Sequence, residues 1–272
     1  MLYDEHKQSI LAYGDFESWG SMHLSDSELK SEGPTLVERL KQLNRKERYW
    51  LLQNALVETN GDLPLAERFR KGLAKEIGVS VVPASAWWAM DYHIDWLFSA
   101  LVLDRFGPQP PDRFLNYENT DNAEKPPRRL IRGTQEDFDL IIGFERTLIL
   151  VEAKGVTSWG NSQLTRKCER LQDWASISRT IPHHAAYQPP EIYMVLMSPK
   201  ESEGLEPQKW PDIIKNKTPY FLPLTFGDAA SSFLATERCD EQGNRCDTGI
   251  YWKMKSRPHG LQERGSSTKP KK

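Results

Sequence analysis

Cysteine is scarce in this chain, with three in 272 residues. An odd number leaves one thiol unpaired under any intramolecular scheme, which fits a reducing cytoplasm better than secretion. The opening MLYDEHKQ is acidic and lacks the apolar stretch of a secretory signal. Long hydrophobic runs are missing as well. None approaches the roughly 18–20 residues that span a bilayer, which excludes a transmembrane helix. Charge of one sign does not dominate: 36 Lys and Arg face 38 Asp and Glu, a net of −2. Any attraction to a polyanion must then come from local patches. P-loops, Rossmann glycine patterns and nucleophile elbows are absent, so nucleotide-cradling and serine-hydrolase chemistries have no support.

What is there is the composition of an ordinary folded protein, 38% hydrophobic and 27% charged. It excludes a wholly disordered polymer, a collagen-like repeat and a disulfide-stapled miniprotein. Charge is unevenly placed. Residues 1–35 carry seven acids against Lys7 and Lys30, whereas the last twenty residues carry seven bases against Glu263.

Residues 1–34 lack clear periodicity and end at Gly33-Pro34, so they read as a flexible arm. Residues 35–82 read as a helical region. Leu36, Leu40 and Leu43 share one face, Asn44 with Glu47 caps a second helix bearing Leu52 and Leu56, and Asp62 with Pro64 opens a third bearing Leu65, Phe69, Leu73 and Ile77. Pro83 and Ser85 open a longer helix, 84–104, on which Trp88, Tyr92 and Trp96 recur every fourth residue. A proline-rich connection follows over 108–128. The period then changes to two. RRLIRG (128–133), EDFDLIIGF and TLILVEAKG read as strands, residues 161–178 as a helix, and EIYMVLMS and PYFLPLTF as further strands. A helix is expected after Asp228, a last strand at GIYWKMK (249–255), and a basic disordered tail over 256–272.

Chemistry concentrates in residues 136–155. A hairpin bend between Glu145 and Arg146 makes opposing residue numbers sum to 291, which sets Asp139 across from Glu152. Directly opposite Cβ atoms lie roughly 4.5–5.5 Å apart, and like charges there repel. A cation between the two carboxylates removes the penalty. Alternation sends Glu152 and Lys154 to one face, with Ala153 turned away. Two hard-oxygen ligands suit Mg²⁺ or Mn²⁺, which polarises a phosphate and acidifies water, and Lys154 can orient that water. These are the parts of phosphodiester hydrolysis.

Asp139, a short hairpin, Glu152-Ala153-Lys154 in an apolar strand and then a polar helix together resemble the PD-(D/E)xK nuclease superfamily. The resemblance covers roughly residues 84 to 200 and departs at the leading proline, where Phe138 stands. It implies an α/β fold of the α+β mixed-sheet kind, with a restriction-endonuclease-like core over 83–255 behind a helical N-terminal extension. It further implies Asp139 and Glu152 as metal ligands, the Ala153 carbonyl as a third oxygen and Lys154 as the catalytic lysine. An acid on the first core helix would join them: Asp95, preferred to Asp91. On the helix after Lys154, Gln163 and Lys167 would face the scissile phosphate. Arg166 and Arg170, with Arg128, Arg129 and Arg132 before the hairpin, would track a nucleic-acid backbone.

The expectation is thus a cytoplasmic, Mg²⁺-dependent nuclease acting on DNA in restriction, phage defence or repair, working as a homodimer or with a partner subunit if it cuts both strands. The alternatives are a catalytically silent module that binds nucleic acid or protein, and an ordinary hairpin in an assembly component, with Asp139 and Glu152 splayed to opposite surfaces. Other signals carry less. His93 reads as a core or interfacial histidine, and His183-His184 as a surface pair. Cys239, Cys246 and His259 make three zinc-type groups at odd spacings, short of the four that a structural site needs. Trp87, Trp88 and Trp96 read as core.

Overall fold

The computed structural model describes residues 33–44, 63–120, 126–134, 136–155, 159, 162–201, 210–225 and 232–258. The chain divides into two units, 1–33 and 34–272, and every element below belongs to the second. The expected helix at Asn44–Leu56, the arm and most of the tail lie outside the described residues.

The described part is a mixed α+β fold with four α-helices and a five-stranded mixed sheet. Helix α1 (Leu36–Leu43) starts at a capping box, in which the Thr35 hydroxyl accepts from the Glu38 N–H and the Glu38 carboxylate accepts from the Thr35 N–H. Its Leu36 and Leu40 are buried as the periodicity required. Helix α2 (Glu67–Ile77) buries Leu73 and Ile77 and stops at Gly78, whose φ of 74° only glycine adopts cheaply.

The segment after Pro83 departs from expectation. Its first half is strand β1 (Trp87–His93), and only the second half is helix α3 (Ile94–Phe106). Residues Trp87, Trp88 and Ala89 are all buried, so the strand lacks the alternation that marks a half-exposed one. Tyr92 meets Trp96 edge-on at 5.6 Å, so the four-residue aromatic spacing produces a contact across a strand-to-helix junction and not along one helix. His93 is the N-cap of α3, its Nδ1 accepting from the Asp95 N–H at 3.2 Å.

RRLIRG, read as a strand, stays out of the main sheet, one edge of which is β1. Of that segment, only Arg128–Arg129 (β3) is extended, paired with Glu118–Asn119 (β2) in a separate two-stranded sheet. Strands β4 (Asp137–Phe144) and β5 (Thr147–Ala153) form the expected hairpin. Helix α4 (Ser162–Ile177) then crosses to β6 (Glu191–Ser198), which lies parallel to β5, and β7 (Tyr220–Pro223) follows parallel to β6. The sheet order is β1-β4-β5-β6-β7. Phe98 of α3 stacks on Trp174 of α4 at 5.4 Å, tying the two helices together.

The helix expected after Asp228 is a strand where it is described. β8 (Ser232–Cys239) pairs antiparallel with β9 (Tyr251–Pro258), which carries the last strand three residues beyond its expected end. The partner strand supplies the ladder that overrides the weak helical pattern of SFLATERC. Among the described residues no helix is long and apolar enough to cross a membrane.

Candidate functional site

The β4–β5 hairpin fixes the site. Its register pairs Gly143 with Leu148 and Leu140 with Val151, each summing to 291, around a two-residue turn whose Glu145 has φ 47°. Arg146, the other turn residue, forms a two-pronged bond to Asp104 of α3 (2.7 and 2.8 Å), which clamps the turn to the helix layer.

The ladder ends at Leu140–Val151, one pair short of Asp139–Glu152. Past that point the Ala153 N–H donates to the Asp139 side chain, at 2.7 Å from Oδ2, so a carboxylate takes over where a strand carbonyl would have served. The Asp139 carboxylate thus sits against the backbone beside Glu152, close enough for its charge to act on the Glu152 carboxyl. Glu152 is 4% exposed and pairs with Lys167 of α4. Lys167 Nζ also lies 5.5 Å from the centre of the Phe138 ring. Burial pushes the Glu152 carboxyl up to about 7; the Lys167 ammonium pulls it down, the nearby Asp139 charge adds to the rise, and Lys154 opposes it. These couplings put Asp139, Glu152, Lys154 and Lys167 in one electrostatic cluster at the C-terminal end of β5. The Lys154 N–H is held by the Met197 carbonyl of β6 at 2.8 Å.

The donor set fits a hard divalent ion: two carboxylates, with a backbone carbonyl at Ala153 between Glu152 and Lys154. A buried Glu152 with a raised carboxyl near the half-buried Asp139 is a site short of positive charge, and Lys167 supplies one such charge. Among the described residues, however, no group of three or more His, Cys, Asp or Glu side chains is arranged to hold a metal. Asp91 is the neighbouring acid in the strand register. The β1–β4 register pairs Met90 with Leu140 and Tyr92 with Phe138, which brings Asp91 abreast of Asp139, but φ of 49° breaks the pairing there.

Asp95 lies elsewhere. Its Oδ1 takes the Arg170 guanidinium at 2.5 Å, and its Oδ2 accepts from the Arg132 and Gly133 N–H groups at 3.1 and 2.7 Å. Both oxygens are committed to holding the 130–134 segment against α3 and α4, a positioning role in place of the expected metal contact. Arg170, 1% exposed, also reaches the Leu130 carbonyl and lies 5.2 Å from the Phe98 ring. Arg132 and Arg128 both pair with the buried Asp173. Of the residues expected to contact nucleic acid, Arg170 and Lys167 are thus internal, and Arg132 and Arg128 are tied to Asp173. Arg129 and Arg166 stay at the surface, with Arg129 beside Glu118 and Arg166 3.4 Å from Glu136. Gln163 is exposed one helical turn before Lys167, on the same face of α4.

The Lys167–Glu152 pair is the part that sequence reading missed. Its signal was present: Lys167 interrupts the apolar stripe of Leu164, Cys168 and Leu171, and a cation there needs a buried anion. Cys239 and Cys246 are both free thiols, and His259 lies outside the described residues. A cleft of about 730 Å³ lies away from the carboxylates, lined by Trp174, Tyr187, Ile192 and Ile214. It opens at Glu191, which is abreast of Thr147, five positions before Glu152 on β5. That separation is about 16 Å along the strands.

The raised Glu152 carboxyl has a consequence for stability. A carboxyl near 7 in the folded chain and 4.5 in the unfolded one contributes fully below pH 4.5, and that contribution is lost as pH rises through about 7. The metal-free protein is expected to lose stability, on the order of 2–3 kcal/mol, between pH 5 and pH 8.5. Urea unfolding at several pH values checks it. The loss should shrink in Glu152→Gln, and an equal loss in both proteins removes Glu152 as its source.

Compared with protein-family models, curated proteins and solved structures, the chain matches none.

Proposed function

We propose that the protein is a divalent-metal-dependent nuclease with a restriction-endonuclease-like core, hydrolysing phosphodiester bonds in DNA. The convergence of Asp139 and Glu152 beside Lys154, where β4 and β5 part, carries this reading. Two neighbouring acids on an apolar hairpin are costly unless a cation is part of the design. The sequence of elements agrees: three antiparallel strands (β1, β4, β5), a crossover helix and a parallel strand, with Glu152-Ala153-Lys154 where the third strand ends.

Asp139, Glu152 and the Ala153 carbonyl would hold Mg²⁺ or Mn²⁺. When bound, that ion supplies charge neutralisation at a phosphate and a lowered pKa for water. Lys154 then orients the attacking water and offsets charge on the phosphate. Lys167 keeps Glu152 neutralised when the ion is away, so it competes with the metal for that oxygen. Gln163, exposed one helical turn before Lys167, would contact a phosphate.

A second reading has its own observation. The Glu152–Lys167 pair is buried and self-sufficient, as in a catalytically silent module that binds nucleic acid or protein. Metal titration separates the two. Calorimetric or paramagnetic titration with Mn²⁺ should show binding that weakens at least about tenfold in Asp139→Asn and tightens in Lys167→Met. Binding that is absent, or indifferent to Asp139, leaves the silent module.

A further inference from the structure

We infer that the β8–β9 ribbon is a nucleic-acid-binding arm that grips single strands by stacking unpaired bases on Trp252. Every residue from Tyr251 to Ser256 is exposed, with Trp252 at 65% and Met254 at 51%. Large apolar side chains on an open ribbon mark a contact surface. The register sorts the ribbon into two faces. Trp252 lies opposite Arg238 and Met254 opposite Thr236, while Lys253 and Lys255 share the other face with Glu237, which lies opposite Lys253.

The charge selects the partner. Lys253 and Lys255 approach the same acid, Glu237, at 3.8 and 3.7 Å, so one carboxylate faces two ammonium groups. Arg257 extends the series along β9, and from Lys253 to Lys272 the sequence holds seven bases against Glu263. In a chain of net charge −2 this is the place where a polyanion is attracted. Arg238, exposed and directly opposite Trp252, sets a guanidinium on the aromatic face, while the lysines of the other face add longer-range attraction. An aromatic beside a guanidinium suits a strand whose bases are free to stack, and stacking tolerates any sequence. A second copy of this chain would gain the apolar contact but would meet the same positive charge on its own ribbon.

This arm names a substrate-holding surface for the nuclease reading and rests on it only for purpose. Binding is therefore measured on the full chain in EDTA, where no cleavage occurs, with a fluorescein-labelled 20-nucleotide single strand and a duplex of the same sequence. Trp252→Ala should weaken single-strand binding about tenfold, and the single strand should be preferred over the duplex. Replacing Lys253, Lys255 and Arg257 by Gln should lower the slope of log affinity against log salt by about 2. Lys253 and Lys255 are exposed, and an unchanged melting curve checks that the fold survives. Affinity insensitive to Trp252, equal binding of the duplex, or a dimer in light scattering that dissociates on Trp252→Ala while oligonucleotide binding holds would each overturn the arm. Plasmid cleavage in Mg²⁺ is scored separately. Binding without cleavage leaves the arm and removes the nuclease, and cleavage with binding indifferent to Trp252 does the reverse.

Discussion

Lys154→Ala is expected to reduce Mg²⁺-dependent nicking of supercoiled plasmid by about 10²–10⁴-fold while leaving Mn²⁺ affinity near its original value. Lys154 follows the last residue of β5 and contributes to the charge balance at Glu152. In the proposed mechanism its loss would remove the group that manages water and phosphate but not the ligands. Glu152→Ala should abolish both cleavage and metal binding. That variant also strands Lys167, whose side chain is 11% exposed, and an uncompensated buried charge costs roughly 3–5 kcal/mol. Glu152→Gln is the better companion, since the amide keeps a hydrogen bond to Lys167. Plasmid assays with melting curves on the same preparations decide the matter. Wild-type cleavage by both Lys154→Ala and Glu152→Gln would take these residues out of the mechanism.

Asp95→Ala is expected to destabilise the fold by about 3–5 kcal/mol, a fall in Tm of about 10 °C or more. Asp95 compensates Arg170, the most buried guanidinium described, and anchors two backbone N–H groups of the 130–134 segment. Removing it leaves Arg170 with Glu136 at 3.6 Å as its remaining acid. Asp95→Asn retains the N–H acceptor and should fall between the two. Metal titration gives the discriminating readout. A positioning residue lowers Tm without changing Mn²⁺ affinity at a temperature where the variant is folded, whereas a ligand lowers both. Loss of Mn²⁺ affinity in folded Asp95→Asn would return Asp95 to the metal.

The hairpin was legible because its physics is local. A two-residue turn fixes the register, and the short continuous apolar run of TLILVEA marks a strand buried on both faces. The same locality explains α1, α2, α4 and β6, each with an apolar stripe or run of its own. Strand β1 was misread for the opposite reason. Trp87, Trp88 and Ala89 are covered on both sides of the sheet, so their pattern has no period, and the four-residue spacing of Trp88, Tyr92 and Trp96 imitates a helix. What made it a strand was β4, a partner some fifty positions away.

The amino-acid sequence by itself determined the juxtaposition of Asp139 with Glu152 and the placement of Lys154 after them, since all three depend on one short turn. Only the tertiary structure decided which other charges join them. Lys167 reaches Glu152 from a crossover helix, and Asp95 meets Arg170 across 75 positions of chain. Such pairings are chosen by burial. A charge carried into the core by an apolar neighbour must find its counter-ion wherever packing brings one, and no spacing along the chain encodes that choice.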